Sequence, residues 1–128
     1  MAKILIAEDD RISQKLAVKI VEELGHTAFV SPNGKHAYES LMTNSGFDLL
    51  LTDIMMPEMD GRQLIQTLRG DQRFNNLPII IMSAVVGLND ISNLLKLGAT
   101  RFLAKPLERT ELEDYITRCL CAEKPCHK

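Results

Sequence analysis

Two acidic groups stand at the ends of apolar runs: Glu8-Asp9-Asp10 directly after Ile4-Leu5-Ile6-Ala7, and Asp53 one threonine past Leu49-Leu50-Leu51. A hydroxyl, Ser83, follows the run from Ile79 to Met82, and a cation, Lys105, follows Phe102 to Ala104. Singly, each has a plain reading. An acidic triplet before a helix caps it and favours its positive end, which is the role assigned to Asp10. An aspartate starts a turn, a strand-end serine satisfies itself locally, a lysine is solvated, and Phe102 is core. Taken together they describe a site. Carboxylates of Asp9 and Asp53 held about 5 Å apart repel by roughly 3 kcal/mol at an effective dielectric near 20, so a positive charge must join them. An all-oxygen pocket suits Mg2+, which takes one or two carboxylates, several waters and a phosphoryl oxygen. Lys105 supplies a mobile point charge for what remains. The chemistry such a set supports is in-line phosphoryl transfer to a carboxylate.

Those residues meet only if the elements between them place the apolar runs side by side. Leu49 to Leu51 and Ile79 to Met82 are apolar on consecutive positions, as strands covered on both faces require. Ile4 to Ala7 and Phe102 to Ala104 read as two more strands, and Thr27 to Val30 as a fifth. Between them the period changes. Ile12, Leu16, Ile20 and Leu24 fall at four-residue steps and predict one apolar helical stripe, closed by Gly25. Ala37 and Leu41 mark a second helix opened near Asn33 and finished before Gly46. Leu64, Ile65 and Leu68 mark a third, between Gly61 and Gly70. Ile91, Leu94, Leu95 and Leu97 mark a fourth, closed by Gly98, and Leu112, Tyr115, Ile116 and Cys119 a fifth. Strands alternating with helices need right-handed crossovers, so the expected class is a doubly wound α/β sandwich. Such sheets bind ligands outside the carboxyl ends of their strands, where the polar residues stand.

Composition narrows the function. The 128 residues are 45% hydrophobic and 25% charged, ordinary for a single soluble domain. A formal net charge of −2 argues against direct nucleic-acid binding. Lys3 to Ala7 is followed at once by acids, so no secretory signal opens the chain, and no apolar run approaches membrane-spanning length. Cys119, Cys121 and Cys126 all lie near the end, with no framework spacing, which fits a reducing cytoplasmic setting. The tail reads C-x-C-x4-C-H, but two of the cysteines fall on a predicted helix and nothing upstream pairs with them, so no metal is assigned there.

From Lys3 to about Leu120 the sequence resembles the receiver domain of response regulators. The residues carrying the likeness are ILIAEDD with Glu8 and Asp9, LLLTDIMMPEMDG with Asp53, Pro57 and Gly61, then Ser83, Phe102 and Lys105-Pro106. The resemblance implies a flavodoxin-like sheet of five parallel strands, order 2-1-3-4-5, flanked by five helices. It implies a receiver unit over 1–121 and a C-terminal tail over 122–128. Asp53 would be the phosphoacceptor, Asp9 and Asp53 direct ligands of Mg2+, Glu8 a ligand through water, and Met55 a ligand through its backbone carbonyl. Ser83 would close on the new phosphoryl group and Phe102 would rotate inward, with Lys105 fixed over the site by a cis bond to Pro106.

By the same resemblance the donor is a sensor histidine kinase or phosphotransfer protein. The output surface is the fourth helix, fifth strand and fifth helix, acting on a downstream protein or by homodimerisation, with Leu and Cys residues near Leu120 as contributors. The chain would not be an enzyme beyond promoting its own phosphorylation and dephosphorylation. Two departures from the family pattern bear on rate. Met55, two residues past the acceptor, and Val85, two past Ser83, are apolar and cannot orient an attacking water, so a long-lived phosphorylated form is expected. Phe102 in place of tyrosine removes a surface hydroxyl. Two other classes compete with this one. A haloacid-dehalogenase-type phosphotransferase usually needs a second aspartate where Met55 stands, and a receiver-fold interaction module acting without phosphorylation would not need Asp9, Asp53 and Lys105.

Overall fold

Every residue of Leu49–Asp53 and Ile79–Ser83 is buried, the outcome that consecutive apolar positions demand of central strands covered on both faces. In this computed structural model, which describes residues 2–44, 46–84, 88–105 and 107–121, the chain runs β1 (Lys3–Ala7), α1 (Arg11–Glu23), β2 (Thr27–Ser31), α2 (Gly34–Thr43) and β3 (Leu49–Asp53). It continues through α3 (Gly61–Arg69), a 3₁₀ turn (Gln72–Phe74), β4 (Ile79–Ser83), α4 (Leu88–Leu97), β5 (Arg101–Ala104) and α5 (Arg109–Cys121). All pairings are parallel and the order is β2-β1-β3-β4-β5, as the resemblance implied. The Lys105-Pro106 bond, Val85, the tail over 122–128 and the Cys121 side chain lie outside the described residues.

Two apolar layers sandwich the sheet. Leu5, Leu50, Ile79 and Ile81 face Leu41, Leu64, Leu68 and Leu94 of α2, α3 and α4. Ile4, Ile6, Leu51 and Ile80 face Ile20, Val21, Leu112 and Ile116 of α1 and α5. The alternation along each strand feeds both layers in turn.

α1 corrects one expectation. Its buried residues are Ala17, Ile20 and Val21, whereas Ile12 is 80% exposed and Leu16 is 37% exposed. Each four-residue step advances roughly 40° around a helix of 3.6 residues per turn, so a stripe drawn from Leu24 and Ile20 has left the sheet before it reaches Ile12. Leu95 of α4 likewise faces solvent. Near the chain end Cys119 is buried in the α1 and α5 layer, and that burial pushes its thiol up, so it is not part of an exposed output surface.

Two features hold the helices in place. Arg69, in the last turn of α3, donates from Nε to Gly98 O at 3.0 Å and from Nη1 to Phe74 O at 2.6 Å, joining three segments through carbonyls. At the start of α2, Gly34 N donates to Met59 O at 3.0 Å, and a side chain at Gly34 would run into that same carbonyl group. The loop after β3 is therefore clamped directly onto α2.

Candidate functional site

The sheet's parallel register brings the strand ends level. Ala7 pairs with Thr52, Asp53 with Met82, and Ser83 with Ala104, so the residues that follow each strand emerge along one edge. Asp10 N-caps α1 by accepting from Ser13 N at 2.9 Å, as its plain reading had it, and this turns the chain so that Glu8 and Asp9 lie over β3. The Gln14 side-chain amide donates to the Glu8 carbonyl and fixes that turn.

One carboxylate oxygen from each of Glu8, Asp9 and Asp53 lies within 4.8 Å of the others. Glu8 is fully buried, Asp53 nearly so, and Asp9 is exposed. Lys105 reaches both buried acids, with Nζ 2.5 Å from Glu8 Oε1 and 3.1 Å from Asp53 Oδ2. Asp53 Oδ1 accepts from Ile54 N at 2.7 Å. Three hard oxygen donors that converge, one of them open to solvent, fit a small divalent cation such as Mg2+.

Burial pushes the Glu8 carboxyl up to about 7, against the hydrogen bonds from Lys105 and from the Asp10 amide that favour its charge. Burial also works against the charge on Lys105, but its bonds to Glu8 and Asp53 outweigh this and hold the amine above its ordinary value. A proton on Glu8 therefore competes with any cation. Apparent Mg2+ affinity is expected to be about tenfold weaker at pH 6 than at pH 8, because a carboxyl titrating near 7 is mostly protonated at the lower value. Calorimetric Mg2+ titration checks this. Glu8→Gln should flatten the dependence, and an equal slope in that variant would assign the competing proton elsewhere.

The loop after Asp53 turns sharply. Met59 N donates to Pro57 O at 2.8 Å around Glu58, whose φ of 69° is a left-handed value rare for a side-chain-bearing residue. Asp60 then caps α3 in a reciprocal box with Gln63, and Gly61 N donates to Ile54 O at 2.8 Å. No side chain fits at Gly61, since a Cβ there would press into the Asp53 carbonyl. The sequence reading had Pro57 and Gly61 but missed Gln14 and the Asp60–Gln63 box. An acid followed three residues later by glutamine before an apolar helix is a legible start signature.

The remaining expected residues fall around this centre. Ser83 is buried at the end of β4, and its carbonyl accepts from Lys105 N at 2.9 Å, tying the cation's backbone to the hydroxyl's strand. Phe102 pairs with Ile81 and is half-buried against the α2, α3 and α4 layer. The Met55 side chain is 75% exposed.

Comparison with known proteins gives the family. The response regulator receiver domain model matches residues 4–117. The transcriptional regulatory protein CrdR of Helicobacter pylori is 35% identical over 91% of this chain and 54% of its own length. Chemotaxis protein CheY1 of the same organism is 29% identical over 89% of this chain and 93% of its own. Among solved structures, a receiver domain of a sensor histidine kinase from Pseudomonas aeruginosa, described with a magnesium ion coordinated in its active site cleft, superposes with a TM-score of 0.85. Its identity is 28%, over 93% of this chain and 97% of that one. A receiver domain from Syntrophus aciditrophicus reaches 0.88 at 29% identity, over 100% of this chain and 96% of that one. The chain belongs to the response regulator receiver domain family, whose members are phospho-accepting signalling switches. It spans about half the length of the Helicobacter regulator and 26% of the response regulator FleR of Pseudomonas aeruginosa.

Proposed function

We propose that Asp53 accepts a phosphoryl group from the phosphohistidine of a sensor kinase or phosphotransfer protein, and that residues 1–121 form the switching unit with 122–128 as a tail. The convergence of Glu8, Asp9, Asp53 and Lys105 at one end of the sheet carries this reading. An Asp53 carboxylate oxygen forms the bond to phosphorus as the donor's P–N bond, or the P–O bond of a small acyl phosphate, breaks and its electron pair stays on the departing imidazole nitrogen or carboxylate oxygen. Asp9 and Asp53 directly, Glu8 through water and Met55 through its backbone carbonyl would hold Mg2+, which supplies positive charge to the equatorial phosphoryl oxygens. Lys105 balances the rest. Ser83 then bonds the phosphoryl group and Phe102 turns inward, changing the surface of α4, β5 and α5 toward a downstream protein or a second copy. No helix among the described residues is long and apolar enough to cross a membrane, and we place the switch in the cytoplasm. It promotes only its own phosphorylation and dephosphorylation.

Intact-mass analysis after acetyl phosphate and Mg2+ tests the acceptor. The wild-type chain should gain one phosphate and Asp53→Ala none; an equal gain in the variant would move the acceptor elsewhere. A second measurement follows the mass back. The exposed thioether of Met55 offers an attacking water no partner, so Met55→Asn should shorten the phosphoryl lifetime by about tenfold, the low end of what a positioned polar group contributes. An unchanged lifetime would remove Met55 from the account.

A further inference from the structure

The edge of the sheet away from β5 is formed by β2, whose outward backbone groups meet no partner among the described residues. Thr27 N donates inward to Ala2 O at 2.8 Å, and Ser31 O accepts from Glu8 N at 2.9 Å. Strand backbone groups alternate sides with a period of two, so the amides and carbonyls of Ala28 and Val30 face away from β1. Edge strands are ordinarily blunted by charge, proline or a bulge. Thr27–Ser31 contains no charged residue and no proline, and it pairs with β1 in unbroken register, whereas the opposite edge, β5, begins with Arg101. Phe29 and Val30 are exposed at 40% and 39%.

The helix beside this edge has an unusual charge order. Arg11, Lys15 and Lys19 occupy the first two-thirds of α1 and Glu22 and Glu23 its end, with no acid in the first turn and no base in the last. Both placements oppose the helix macrodipole, so α1's own stability does not explain them. Glu23 is held by Arg109 at 2.8 Å; among the described residues Lys15, Lys19 and Glu22 form no ion pair. A groove of about 540 Å³ runs between this flank of α1 and Val30.

The geometry points to a second copy of this chain on that edge, with β2 pairing antiparallel to β2 about a two-fold axis through Phe29. Ala28 of one copy then faces Val30 of the other, and their outward amides and carbonyls satisfy one another in hydrogen-bonded pairs. The two sheets become one of ten strands. α1 packs on β2 and β1, so the two α1 helices lie about two strand spacings apart, roughly 10 Å, which is helix-packing distance. The same axis makes them antiparallel. The α1 residues of the groove are centred between Val18 and Lys19. With the axis crossing α1 at that centre, Lys15 meets Glu22 of the second copy, Gln14 meets Glu23, and Val18 meets Lys19. The polarity that opposes the dipole within one chain is matched between two chains. The α4, β5 and α5 surface stays free.

Sedimentation velocity on the full chain, from low micromolar to millimolar concentration, tests this with a charge exchange. The wild type should dimerise reversibly. Lys15→Glu and Glu22→Lys should each weaken the dimer at least about tenfold, and the double variant should return to within about threefold of wild type, because only the exchanged pair restores opposite charges across the axis. Val30→Pro removes an outward amide without touching the β1 ladder and should abolish dimerisation. A chain that stays monomeric throughout, a dimer indifferent to these changes as one built on α4, β5 and α5 would be, or a double variant no better than the singles would each overturn the proposal. The charge variants lie on the exposed flank of α1, so the outcome does not hinge on whether Val30→Pro folds.

Discussion

Lys105→Ala is expected to be less stable than wild type by about 3 kcal/mol at pH 8 and by about half that at pH 6, measured by urea unfolding. The side chain is 15% exposed and sits between a fully buried Glu8 and a nearly buried Asp53, so its loss leaves two acids facing each other without a cation. Breaking a buried ion pair costs roughly 3–5 kcal/mol when the remaining charge cannot escape. Here it can escape, because Glu8 already titrates near 7. An acid whose folded value lies above its ordinary 4.5 contributes stability below 4.5 and loses it as pH rises through the folded value. Removing the cation raises that folded value further, so the deficit relative to wild type must widen between pH 6 and pH 8. Millimolar Mg2+ should narrow it again at pH 8. Phosphoryl uptake should fall by roughly 100-fold, the scale of losing one charge-stabilising donor. A deficit of equal size at both pH values would mean that Lys105 contributes packing and not charge.

Gly61→Ala should lower stability by about 3 kcal/mol, the upper end of ordinary overpacking costs. For a chain of this length that corresponds to a melting temperature lower by roughly 10 °C. The new methyl would press into the Asp53 carbonyl and lie 2.9 Å from Ile54 Cα. Neither neighbour can give way, because Ile54 O accepts from Gly61 N and Ile54 N donates to the Asp53 side chain. The strain therefore reaches the proposed acceptor directly, and phosphoryl uptake should fall along with stability. Gly70→Ala serves as the control. Its added carbon would approach nothing nearer than Gln66 O at 3.4 Å, and a change within about 0.5 kcal/mol is expected. Calorimetric melts of the two variants compare them; equal shifts would mean that the close approach at Gly61 is tolerated.

The central strands were the most legible part of the sequence because burial on both faces leaves no polar position to blur the run, and Leu49–Asp53 and Ile79–Ser83 appear where the apolar letters stand. Helix boundaries followed from caps: Asn33 opens α2 and Gly70 closes α3. The rotation of α1 was not legible. Four apolar residues at four-residue steps read as one face, yet Ile12 and Leu16 point outward, and nothing in their type separates an apolar residue kept for packing from one kept for contact. Strand order came through family likeness, since local letters do not say which strands are neighbours. At the site, residue types and strand-end positions were visible, but the state of Glu8 was not. Its raised value comes from complete burial, which outweighs the bonds from Lys105 and the Asp10 amide, a property of the assembled crevice and not of the EDD triplet.

The polar cluster gathers side chains from segments as distant as Glu8 and Lys105, which are 97 positions apart along the chain. A disordered chain cannot present them together, because closing so long a loop is entropically costly and nothing local repays it. The proposed cation site therefore exists only in the native state, and by mass action a saturating cation that fills it should raise resistance to denaturation, by about 2.7 kcal/mol at one hundred times its dissociation constant. If magnesium fills the site as proposed, the midpoint of unfolding should become a concentration gauge for the free ion, one that works without any phosphodonor.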